Sequence, residues 1–100
     1  MKPFKTIGIL GGMGPEATAE FYKRIIGIFQ KRFGCVNDRD FPEIFIYNLP
    51  LPEVVSFVDN RVKASLQKGI DKLTATGAEF LVCPCNTANT FFPFLRDILF

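Results

Sequence analysis

The sequence predicts an α/β domain of three layers, a parallel sheet of βαβ units with three strands in the order 2-1-3. Two observations carry this. Short, almost continuously apolar runs alternate with longer segments whose apolar residues recur at three- and four-residue steps, and glycine or proline separates each from the next. A strand apolar along its whole length is buried on both faces, which is the condition of a parallel sheet covered by crossover helices.

The elements follow in order. Thr6 to Leu10, TIGIL, is the first strand and runs straight into GGMGPEAT, a glycine turn with Pro15 where a first helical turn tolerates proline. From Glu16 to about Phe33, Ala17, Phe21, Ile25, Ile28, Phe29 and Phe33 mark a helix with one buried face. GCVNDRDFP is a loop, and Glu43 to Tyr47, EIFIY, is the second strand. A helix of about Asp59 to Thr76 follows, with Val62, Leu66, Ile70 and Leu73 as its apolar face and Gly77 at its end. EFLVC, from Glu79, is the third strand, and NTANTFFPFLRDILF opens a third helix. In the order 2-1-3 the connections leaving strands 1 and 3 diverge, so a crevice opens at their carboxyl ends. GGMGP and PCNTA line it.

Size and composition bound the function. One hundred residues hold one small domain, residues 1–100, with no room for a second. With 48% hydrophobic residues and twelve Phe, the chain is rich in core formers. Twelve basic against ten acidic residues leave +2, and the basic residues are scattered rather than clustered, so nucleic acid is not an expected partner. No apolar run approaches the ~18 residues of a membrane span, and MKPFKTIGILGG lacks the apolar core and cleavage site of a signal peptide. The expected location is cytoplasmic. Three cysteines, two of them one residue apart, argue for thiols in a reducing compartment over a disulfide framework.

The cysteine stretch EFLVCPCNTANTFF allows three readings. A metal clip built on Cys83 and Cys85 would need two further ligands, but the chain has no histidine and only Cys35 besides, so no metal is expected. Strand alternation puts Cys83 and Cys85 on the same side, with Cys83 inside the apolar run and therefore in the core. Cys85 stands at the strand end. It is either a buried thiol of the ordinary kind or a thiolate at a helix start. There, unbonded N–H groups and the positive end of the helix dipole lower a thiol pKa and seat a carboxylate. The glycine loop has its own alternatives. GMGPEA, Gly12 to Ala17, fits a dinucleotide fingerprint, but the acidic residue needed at the end of the second strand is replaced by Asn48, so no nucleotide cofactor is expected. The glycines also suit a tight turn with close helix packing.

IGILGGMGPEAT together with PCNTA after the third strand resembles the amino-terminal half of the aspartate/glutamate racemase family, in the same order and over essentially the whole chain. The resemblance implies one half of a two-domain, cofactor-independent amino-acid racemase, with the substrate in the cleft between domains and a cysteine reaching in from each. It makes Cys85 the catalytic thiol of the first domain, Asn86 and Thr87 substrate-holding neighbours, and Met13 a wall of the pocket. Gly12 and Asn48 join them as substrate-binding candidates.

Racemisation removes an α-proton from one face and returns one to the other, so two acid–base groups must flank the carbon. Cys83 cannot be the second, because residues two apart on a strand approach from one side. In the family the second cysteine belongs to a second domain, which these 100 residues are not expected to hold. Two departures bear on substrate. The family pattern N-x-P-Q-I-P-D-R is here NLPLPEV from Asn48, with Leu51 and Val54 and no glutamine or arginine, although Arg61 follows. Asn89 stands where CNTAH is common, and an amide cannot relay protons as imidazole can.

The expected function is that of an amino-acid racemase domain supplying one of two catalytic cysteines to a small amino-acid or carboxylate substrate. The alternative is a non-catalytic half that binds a carboxylate or a partner chain. From Phe91 to Phe100, seven of ten residues are large and apolar, more than one helix face buries against three strands. Either that helix is buried on most sides, or the surplus serves a continuing chain or a partner; the expectation is a homo-oligomer, or contact with a missing second domain, through Phe91–Phe100.

Overall fold

The computed structural model describes residues 4–12, 14–51 and 60–84. Strands β1 (Ile7–Gly11), β2 (Ile44–Asn48) and β3 (Phe80–Val82) form one sheet in the order β2-β1-β3. Both pairings are parallel, with Ile7 opposite Ile44 and Phe80, and Gly11 opposite Asn48. Helix α1 (Pro15–Phe33) and a short 3-10 turn (Asp38–Asp40) connect β1 to β2, and helix α2 (Asn60–Ala75) precedes β3. This is the three-strand, 2-1-3 arrangement the alternation predicts. β1 and β2 each lie one residue later than their apolar runs suggest, because the backbone ladder continues through Gly11 and Asn48 whatever their side chains are. The third helix expected after Cys85 lies outside the described residues, as do Val54, Asn89 and Phe91–Phe100.

The core forms between α2 and one face of the sheet. Leu10 from β1 and Leu49 just after β2 pack with Val62, Leu66, Ile70 and Leu73, and Phe45, Tyr47, Leu81 and Cys83 close around them. All four predicted apolar positions of α2 are buried, Val62 and Leu66 completely. Burial of such a side chain contributes about 1.5–3 kcal/mol. Gly69 permits the close approach. A Cβ there would stand 2.8 Å from Leu10 Cδ1 and 3.2 Å from Leu49 Cδ2.

Helix α1 serves the other face, where Ile7 and Ile9 are buried. Gly11 shares their side of the strand and meets Thr18 of the first turns of α1. Here the expected buried stripe needs correction. Thr18 is the buried residue of α1. Among the predicted positions Ala17 is exposed, Ile28 is 48% and Phe33 57% exposed, and the rest are half-buried. The end of the stripe packs on Phe4 instead, whose ring centroid lies 4.7 Å from that of Phe29 and 5.0 Å from that of Phe33. Ile46 and Phe80 are likewise exposed, so the described residues leave both edges of this sheet face open.

At the amino ends of the strands Thr6 is buried, its N–H donating to Glu79 Oε1 at 3.0 Å and its hydroxyl to Glu43 Oε1 at 3.3 Å. The loop after α1 is organised by Asp40. Its Oδ2 accepts from Asn37 N at 2.8 Å and Val36 N at 3.0 Å, and its carbonyl accepts from the buried Cys35 thiol at 3.2 Å. The Asn37 and then the Val36 N–H hold the Asp40 carboxyl below the ordinary carboxylate range. A depressed folded-state pKa means that the order it lends is complete above the ordinary range and is lost as pH falls through the depressed value. Asp40→Ala at neutral pH, or acid on the native chain, is expected to speed hydrogen exchange at the Val36 and Asn37 amides and alkylation of Cys35, with α2 amides unaffected. Unchanged exchange at those two amides would remove Asp40 from this role.

Candidate active site at the carboxyl ends of the strands

Two predicted site residues fall among those described, and the fold brings them together. β1 ends at Gly11, opposite Asn48 on the last rung of the β1–β2 ladder. Beyond it Leu49 N donates to Gly11 O at 2.8 Å, so the chain leaving β2 stays bound to the chain leaving β1. Gly12 fills the wedge between them. Its φ is +95°, and a Cβ there would lie 2.4 Å from Leu49 N, 2.6 Å from Leu49 O and 2.9 Å from the Asn48 carbonyl carbon. Both the torsion and the space exclude a side chain. Asn48 itself is exposed at this rim.

The Gly12 N–H is already engaged, donating to Thr18 Oγ1 at 3.0 Å. Gly12 therefore contributes shape to the crevice rather than a donor for an anion. Helix α1 starts from Gly14, whose carbonyl accepts from Ala17 N and Thr18 N, and it has no side-chain cap. β3 pairs with the other side of β1, with Val82 opposite Ile9. Cys83 and Pro84 thus follow at the same end of the sheet as the glycine turn, and Cys85 is next in sequence. Cys83 is half-buried against the α2 core, as expected. Leu51, at the position where glutamine is expected, is partly buried and packs on the same cluster. Met13, Cys85, Asn86 and Thr87 lie outside the described residues. Among the described residues no group of three or more His, Cys, Asp or Glu could hold a metal ion, and no helix is long and apolar enough to cross a membrane.

Thr18 is the residue sequence reasoning missed. The signal was present: a polar, β-branched residue four positions into a helix, directly after a glycine-rich turn, is a poor helix former unless its hydroxyl has work to do.

An open parallel α/β sheet in this order, with a glycine turn after its first strand and a cysteine segment after its third, defines a domain of the doubly wound class, whose switch point lies at the carboxyl ends of its strands. The Asp/Glu/hydantoin racemase family model matches residues 10–99, and the chain belongs to that family. It is 37% identical over 95 residues to the broad specificity amino-acid racemase RacX of Bacillus subtilis (strain 168), covering 93% of this chain and 42% of that protein. Among solved structures, an aspartate racemase homologue from Pyrococcus horikoshii OT3 superposes with a TM-score of 0.78 at 28% identity, covering 94% of this chain and 41% of the other. The Picrophilus torridus aspartate racemase gives 0.71 at 30% identity, covering 91% and 39%. The chain thus spans about two fifths of the length of these relatives.

Gly12→Ala is expected to lower the unfolding free energy by about 2–3 kcal/mol, since the left-handed torsion and the Leu49 backbone both oppose the methyl group. Urea unfolding checks this. A loss under about 0.5 kcal/mol, the scale of neutral surface changes, would mean that the wedge is not rigid.

Proposed function

We propose that this chain supplies one half of an amino-acid racemase site, with Cys85 as the acid–base group for one face of the α-carbon. The thiolate takes the α-proton and becomes a thiol. A thiol on the opposite face gives its proton to the carbanion and becomes a thiolate, so the reaction is balanced without redox chemistry or a cofactor. The second group must come from outside this segment. Cys83 sits two residues from Cys85 and packs into the α2 core. Asn86 and Thr87 hold the substrate beside the thiol, and Met13, Gly12 and Asn48 form the facing wall.

The observation that carries this reading is the convergence, at one end of the sheet, of the Gly11–Asn48 rung and the chain leaving β3 toward Cys85. Family membership and the racemase names of its relatives support it. A substrate with an acidic side chain is disfavoured, because Leu51 is turned to the core and the segment supplies no guanidinium. A neutral or basic side chain suits the site better, and the setting is a cytoplasmic enzyme of amino-acid metabolism.

Limiting iodoacetamide followed by peptide mapping tests the role of Cys85. A thiol at a helix start, where free N–H groups favour its thiolate, reacts faster than an ordinary one at neutral pH, so Cys85 is expected to react faster than Cys83 or Cys35. Added amino acids should slow Cys85 alone. Equal or reversed rates would remove the tuned thiolate and with it the proposed reaction.

A further inference from the structure

Thr18 reaches back across the turn in a way that ordinary helix capping does not explain. A capping side chain precedes the helix and accepts from its first amides. Here the residue before the helix is Gly14, and the side chain that acts belongs to the fourth helical position. Thr18 Oγ1 accepts from the Gly12 N–H, which precedes Met13, while the Thr18 N–H donates to the Gly14 carbonyl, which follows Met13. One residue therefore fixes the chain on both sides of Met13. The same side chain packs on Gly11, where a Cβ would fall 2.4 Å from Thr18 Cγ2 and 2.6 Å from Oγ1. Thr18 is buried, and its hydroxyl is the acceptor that the half-buried Gly12 amide uses in the folded chain.

We infer that Thr18 is a positioning residue for the substrate wall formed by Gly12 and Asn48, acting through its hydroxyl rather than its bulk. The hydroxyl sets where Gly12 lies against Leu49 and Asn48. This rests on the proposed racemase reading, because it assumes that the wall touches the substrate. Thr18→Val keeps the shape of the side chain and removes the acceptor. Thr18→Ser keeps the acceptor and removes the methyl group that packs on Gly11.

The readout is protection of Cys85 from iodoacetamide by L-glutamate, L-arginine and L-leucine, measured beside thermal unfolding and hydrogen exchange of the Gly12 amide. In the native chain at least one of the three protects. Thr18→Val is expected to need about tenfold more of that amino acid, the effect of one lost hydrogen bond of ordinary strength, and to exchange Gly12 faster. Thr18→Ser should protect like the native chain even if its melting temperature falls. Native-like protection in Thr18→Val overturns this inference alone. Equal loss in both variants also overturns it, by showing that packing rather than the hydroxyl matters. No protection in the native chain overturns the racemase reading and this inference together.

Discussion

Everything at the candidate site depends on β1 being paired in parallel on both sides. A strand with parallel neighbours cannot be reached by hairpins, so each neighbour requires a crossover. In the order β2-β1-β3 the crossover through α1 lies on the Ile7–Ile9 face and α2 covers the Leu10 face. All three strands consequently point their carboxyl ends the same way. The glycine turn, the Asn48 rim and the chain leading to Cys85 are neighbours for that reason, although they are far apart in sequence.

The two faces of the sheet are not equivalent. The α2 face is a closed apolar cluster in which Gly69 lets the helix come down onto Leu10 and Leu49. Leu49 belongs to that cluster and also bonds Gly11 through its backbone, so the core and the rim of the site share a residue. Among the described residues the α1 face is held chiefly at its ends, by Thr18 on Gly11 and by Phe29 and Phe33 on Phe4. Among the described residues, the rim at Gly12 and Asn48 is therefore continuous with the α2 cluster through Leu49 and is joined to the α1 side by Thr18.

Much of this was legible in the sequence, for identifiable reasons. The period of Val62, Leu66, Ile70 and Leu73 is an inherent property of a helix lying on a sheet, and those residues are buried as the pattern requires. The continuous apolar runs gave away the parallel sheet, and IGILGGMGPEAT with PCNTA indicated the racemase family. The fate of the α1 stripe was not legible. Periodicity reports which residues could be buried together, not whether enough surface stands opposite to bury them. Thr18 was missed for another reason: its role is a hydrogen bond to a backbone amide six residues back, and backbone partners leave no mark in side-chain pattern. Gly12 was legible as a candidate for the site, but only the structure shows that its N–H is already taken.

The central claim is that the chain holds one acid–base group where racemisation needs two. Chiral chromatography of L-amino acids incubated with the 100-residue chain tests it most directly. The account predicts no D-isomer above a protein-free control, even at amino-acid concentrations that shield Cys85. D-isomer that accumulates in proportion to protein and disappears in Cys85→Ser would contradict it, because both faces of the carbon would then be served by this chain alone.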